Sequence, residues 1–229
     1  MPTVLDVSEL STLGEESLGV FRGRDAVTAG VSRNQIGALV AAGTLDRMHP
    51  DTYRMTVVPR SSEQSLRAAL VWAGPDAVAF GCSAGATYEL EGVVALVPEI
   101  VVPMRLRPRS STVVVHRSDN RAALMTRLWR GIPVTGIEAT LVSLAHALDG
   151  EAFEIAFEDA RRRRLTTVPA VRAYLTRFAR TGRPGVASIR RMLDDLDPTS
   201  AARSTLEVQT RRLLTAHGIT DFVREFPLQ

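Results

Sequence analysis

The sequence predicts an α+β protein, mostly helical. An N-terminal winged helix-turn-helix is followed by a mixed α+β domain with a helical C-terminal part. Three observations predict this. Between Val20 and Met55, two helical stretches meet at Gly30 and lead into two short extended runs joined at His49-Pro50-Asp51. From Ser61 to about Thr135, helical and extended patterns alternate. From Gly136 onward, apolar residues recur at helical spacing. The 229 residues therefore divide into a winged domain over 1–60, an α+β domain over 61–200, and a helix with a strand start over 201–229.

Arg24 to Ala29 form a short helix that breaks at Gly30. Ser32 opens the next helix, and Gln35 three residues on completes a Ser-x-x-Gln capping box. Gly43 closes that helix, as a residue free to take positive φ. At 100° per residue, Ile36, Leu39 and Val40 share a core-facing side, while Asn34, Ala38 and Ala41 point the opposite way. Two alanines there leave the helix thin enough to approach base edges. Asn can bond adenine bidentately, and an Ala methyl can touch a thymine methyl. Arg33 and Gln35 flank that side at the helix start, where phosphates are gripped. The alternative is that the same small residues pack against another helix, with Asn34 merely solvated; the DNA reading is the one favoured. Thr44 to Met55 form the wing, carrying Arg47, His49, Tyr53 and Arg54, and Pro50 is at home in its turn.

Ser61 and Gln64 make a second capping box, Leu66, Ala69, Leu70 and Ala73 make a stripe, and Gly74-Pro75 stop that helix. Ser83 opens a short helix that ends by Gly92. Glu99–Pro103 and Thr112–Arg117 read as strands across a basic loop holding Arg105, Arg107 and Arg109, either a second phosphate contact or a solvated turn. A further strand pair surrounds Gly131. Ile137, Leu141, Leu144 and Leu148 stripe one helix. Phe153, Ala156, Phe157 and Ala160 stripe the next, which ends in Arg161-Arg162-Arg163-Arg164. That run complements the helix dipole and pairs at i,i+4 with Glu158 and Asp159. A nucleic-acid or partner contact is the other reading. Val168–Phe178 and Pro184–Leu196 are helices, split by Thr181-Gly182-Arg183 and followed by the breaker Asp197-Pro198. Ser204–His217 is a last helix with Leu206, Leu213 and Leu214 inward, and Phe222–Leu228 a strand start.

Composition excludes several chemistries. All 28 basic residues are Arg. Without Lys there is no Walker A loop and no Schiff-base enzyme. Arg stays protonated and is no base, but it binds phosphate bidentately. Charge is blocky: Val20–Arg60 carries +3, Val101–Thr135 +6 and Gly136–Ala160 −6. The four His stand far apart, and no metal-binding spacing or GxSxG elbow is present. No metal or other cofactor is expected, and no enzyme activity. Cys82, the single cysteine, reads as a small packed residue, and with an acidic N-terminus unlike a secretory signal it points to a reducing cytoplasm. No apolar run is long enough for a membrane span.

The order VFRGRDAVTAGVSRNQIGALVAAGTLDRMHPDTYR, AVAFGCSAGATYELEGV, VVVHRSDN, GIPVTGIEATLVSLAHAL resembles the AbiEi-type antitoxins of type IV toxin–antitoxin, or abortive-infection, systems. The resemblance covers about Val20 to Leu196. It implies a transcriptional autorepressor that binds inverted repeats in its own promoter through the winged domain, and a second domain that neutralises a nucleotidyltransferase-like toxin. It places Ser32, Arg33, Asn34 and Gln35 on the recognition helix and Arg47 and Arg54 on the wing. The expected DNA-binding set is thus Arg24, Ser32, Arg33, Asn34, Gln35, Ala38, Arg47, His49, Tyr53 and Arg54. The segment RSTLEVQTRRLLTAHGITDFVREFPLQ resembles the first helix and strand start of a Vsr-like endonuclease domain, with Glu207 at its first acidic position. One acid cannot assemble a two-metal site, so no nuclease activity is expected. Two alternatives stay open: a module that silences a toxin without DNA, and the remnant of such a nuclease. A palindromic site would need two copies or two wings; the sequence leaves the oligomeric state open.

Overall fold

A computed structural model describes residues 8–178, 185–194 and 205–220. The winged region begins with a helix the sequence reading passed over, α1 (Ser8–Gly14), whose Leu10 is fully buried. There follow β1 (Val20–Arg22), α2 (Gly23–Thr28), α3 (Arg33–Ala41), β2 (Leu45–His49) and β3 (Thr52–Met55). The strands form an antiparallel sheet in the order β1-β3-β2. Leu10, Phe21, Ala26, Val31, Ile36, Leu39, Leu45 and Met55 make one apolar core under α3. Burying Ile36 and Leu39 contributes about 1.5–3 kcal/mol each, which fixes the side of α3 that turns inward.

The chain continues into α4 (Ser62–Ala73). Ser61 caps it, its Oγ accepting from the Gln64 amide at 3.0 Å. The reciprocal half of that box is missing, because the Gln64 side chain is engaged elsewhere. Gly74, at φ 107°, ends the helix. α4 packs against all three strands of the winged sheet and also against the second sheet. It is a wall common to both regions.

The second sheet contains β4 (Val78–Ala79), β5 (Glu99–Val102), β6 (Val114–Arg117), β7 (Arg127–Trp129) and β8 (Ile132–Val134), in the order β6-β5-β4-β8-β7. β5 and β6 run parallel, as do β4 and β8. The basic segment after β5 is therefore a crossover returning to the same end of the sheet, not a hairpin turn. α5 (Gly81–Thr87) and α6 (Arg121–Leu124) are short. α7 (Ile137–Ala147) is buried on most of its surface and packs against α5, α8 (Gly150–Arg162), α9 (Val168–Phe178) and α10 (Val186–Asp194).

The arginine run ending α8 is drawn into the fold. Arg161 pairs with Glu158, both nearly inaccessible. Arg162 and Arg163 share Asp159, and they reach Glu91 and the Glu89 carbonyl. These bonds knit α8 to the 89–92 turn, leaving Arg164 exposed. In α11 (Thr205–Ala216), Arg211 and Arg212 pair with Glu154. Leu213 is 61% exposed, against the expectation that it faces inward, because these ion pairs turn the arginine side of α11 toward α8. The proposed breaker at Asp197-Pro198, the turn at Thr181-Gly182-Arg183, Pro184, and the strand start over 222–228 lie outside the described residues, as do the side chains of Leu206 and Glu207.

Candidate nucleic-acid interface

The geometry begins with the start of α3. Ser32 Oγ accepts from the Gln35 amide at 3.3 Å, and Gln35 Oε1 accepts from the Ser32 amide at 2.7 Å. Both halves of this capping box are present, so the helix start is fixed by its own residues. Gly43, at φ 75°, turns the chain out of α3 into β2.

With the core side of α3 buried, its opposite side is open. Asn34, Ala38 and Ala41 are exposed, as the sequence predicts. Gly37 joins them, and nothing lies within 4 Å of where its Cβ would stand. The sequence reading missed Gly37, although one helical turn from Asn34 is enough to place it on that side. The exposed strip is thus one amide and three residues no larger than alanine. Arg33 is exposed on its flank, and Gln35 is half-buried by its capping role. Arg24 is exposed on α2, its guanidinium 3.6 Å from Asp25.

The wing differs from expectation. Arg47 is exposed. Tyr53 is half-buried, stacked on Phe21 with ring centroids 6.1 Å apart. His49 is buried, its ring stacked on Trp72 of α4 at 5.0 Å. Burial pushes its pKa below the ordinary value of 6.5, so it is held neutral. Arg54 is 5% exposed. Its Nε and Nη2 donate to Asp46 Oδ2 at 3.0 and 2.9 Å, and its Nη1 donates to the Val58 carbonyl at 2.8 Å and Gln64 Oε1 at 3.1 Å. Gln64 Nε2 in turn donates to the Leu18 carbonyl at 2.8 Å. Hydrogen bonds from Arg54 and Arg60 hold the Asp46 carboxyl below its usual range. His49 and Arg54 are therefore corrected: both are buried, not presented on the wing surface, and both bind the wing to α4.

Arg22 reinforces that joint, donating to the carbonyls of Val71 and Trp72 at 2.5 and 2.9 Å, the last turn of α4. At the wing turn, Asp51 Oδ2 accepts from the Arg24 amide at 3.3 Å. Its Oδ1 is buried without a hydrogen bond, 3.6 Å from Arg33 Nη1. A Cβ on Gly23 would stand 2.6 Å from that oxygen, so glycine is what lets the carboxylate sit there.

Elsewhere, Cys82 is half-buried, and burial beside Glu99 raises its thiol pKa, which suits a packed residue and not a nucleophile. Among the described residues no cluster of His, Cys, Asp and Glu is arranged to hold a metal ion. Nor, among them, is any helix long and apolar enough to cross a membrane.

Residues 9–56, spanning α1 to the end of the wing, match the family model described as transcriptional regulator, AbiEi antitoxin. No curated protein matches the chain. Its fold is similar to the crystal structure of the RV2827C protein from Mycobacterium tuberculosis, with TM-score 0.57 and 19% identity, over 89% of this chain and 79% of that one. At that identity the likeness is one of fold.

Proposed function

We propose that this chain is a DNA-binding transcriptional regulator of the AbiEi antitoxin kind, repressing its own promoter through α3 and the wing. The observation that carries the reading is the bare side of α3, where Asn34, Gly37, Ala38 and Ala41 stay open to solvent. The match of residues 9–56 to the AbiEi antitoxin model supports it. Asn34 would read a base edge, Arg33 and Arg24 would meet phosphates, and Arg47 would follow the backbone from the wing. The test is a mobility shift on duplex DNA from upstream of its own coding sequence at graded salt. Affinity should fall steeply as salt rises. Asn34→Ala should relax sequence preference, and Arg47→Ala should weaken all sequences alike. Binding that neither variant alters would sink the assignment.

The antitoxin half of the reading has its own support. Val94, Leu96 and Val97 are exposed by 68, 91 and 44% beside a groove of about 690 Å³ bordered by α4 and α5. An exposed apolar strip of this kind suits a protein partner, here a nucleotidyltransferase-like toxin. Co-purification of the neighbouring gene product, lost in Leu96→Asp, would support it. Specific cleavage of the duplex with added Mg²⁺ would favour the nuclease remnant instead.

A further inference from the structure

The crossover between β5 and β6 carries a basic cluster that the winged domain does not account for. Arg105, Arg107 and Arg109 lie on it, Arg117 ends β6 and Arg121 opens α6. Arg105 and Arg121 share one carboxylate, Asp76. Asp119 is occupied by the Met104 amide at 2.8 Å. Arg107, Arg109 and Arg117 are exposed, and no acidic side chain among the described residues is within ion-pair distance of them. Five guanidinium groups against two carboxylates leave a net positive surface in the second domain.

Its position matters. Asp76 lies two residues past Gly74, where α4 ends. That same end of α4 holds His49 through Trp72 and is capped by Arg22. Two residues beyond His49, Asp51 faces Arg33 at the start of α3. The wing, through His49 and Trp72, and the start of the basic crossover, through Arg105 and Asp76, are thus both held at one end of α4. Four residues of extended chain separate the two anchors, Trp72 and Asp76, so these anchors lie at most about 14 Å apart, well under one turn of duplex, about 34 Å.

Resting on the DNA-binding reading above, we propose that the β5–β6 crossover is a second DNA contact. Arg107, Arg109 and Arg117 grip backbone phosphates flanking the site that α3 reads. Exposed arginines on a crossover with no fixed partner suit phosphates, not base edges. The flanking contact therefore adds affinity and footprint length without sequence preference.

The experiment uses the full chain and two duplexes from upstream of its own coding sequence. One is trimmed to the footprinted core, the other extended by about 10 bp on each side. The wild type should bind the extended duplex about tenfold more tightly at low salt. R107E/R109E should abolish that difference, shorten the footprint, and lower the salt slope by about 2 (0.9 per phosphate). Its affinity for the core and its melting temperature should stay unchanged, since both side chains are exposed and make no hydrogen bond or ion pair among the described residues. R107K/R109K should restore the slope. If R107E/R109E keeps the wild-type slope and ratio while Arg33→Ala weakens core binding, this inference falls and the winged-domain reading stands; the crossover would then be free for an acidic protein. If the wild type binds neither duplex, both fall.

Discussion

Arg33, at the start of the exposed helix, and Asp51, in the wing turn, stand 3.6 Å apart. A carboxylate here partly neutralises the cation best placed to meet a phosphate. It also anchors α2 through the Arg24 amide. Both partners are partly exposed, at 70 and 36%, so the pair contributes at most about 1 kcal/mol to folding. If α3 binds DNA as proposed, the larger effect of the pair falls on the incoming polyanion.

Asp51→Asn should therefore strengthen binding to all duplexes, by about threefold at low salt, at a stability cost of about 1 kcal/mol or less. Mobility shifts across a salt series and a urea titration measure the two effects. Weaker binding by a normally folded Asp51→Asn protein would show that the carboxylate positions Arg33 instead of masking it.

Gly37→Ala separates folding from recognition. Its Cβ would meet nothing within 4 Å, and alanine in a helix interior is favoured over glycine by about 0.5–1 kcal/mol. The variant should melt higher. If α3 enters a groove with its backbone close to base edges, the same methyl should lower DNA affinity, by about threefold or more. A variant that gains stability and keeps full affinity would mean that this side of α3 stays clear of the duplex.

Arg54→Ala should act on stability, not on affinity alone. It leaves the Val58 carbonyl and Gln64 Oε1 without their donor, and Asp46 with Arg60 alone. The unfolding midpoint should fall, chiefly because the buried Gln64 amide oxygen and the Val58 carbonyl lose their hydrogen bonds. Chemical unfolding reads it directly. An unchanged midpoint with weakened DNA binding would restore Arg54 to the role the sequence suggested.

Acidification should loosen the wing. Because burial depresses the His49 pKa below 6.5, the unfolded chain binds the extra proton more readily than the folded one. The associated stability is fully present above pH 6.5 and is lost as pH falls through the folded value. Asp46, also depressed, adds a loss of the same sign only near and below its ordinary 3.8. His49→Phe keeps a ring over Trp72 and should flatten the stability profile between pH 7 and 5. An equal slope in the variant would place the titration elsewhere.

What was legible in the sequence was what neighbouring residues decide. The Ser32/Gln35 box, the Gly43 exit and the sidedness of α3 depend on contacts within a turn or two, and they stand as read. What was not legible depends on partners far along the chain. His49 is buried by Trp72, and Arg54 is held in part by Gln64. One signal was nevertheless available for Arg54. Once the wing turns at Pro50-Asp51, Arg54 falls directly opposite Asp46, and opposite charges across a strand pair attract each other before any phosphate arrives. The parallel pairing of β5 with β6, and a two-residue β4, carry no periodic signal long enough to read. For the arginine run on α8, the nearby partners Glu158 and Asp159 were legible at helical spacing, whereas Glu91 and the Glu89 carbonyl, far along the chain, were not.

Since α4 props up the wing, the smallest piece that keeps the winged fold cannot stop at residue 60. Cutting there would take away Gln64, the ring beneath His49 and the carbonyls that Arg22 caps, and the severed module would frustrate crystallisation and binding assays alike. A boundary just beyond Gly74 would keep those contacts but would bare Leu66, Ala69 and Leu70, which pack into the core of the second region.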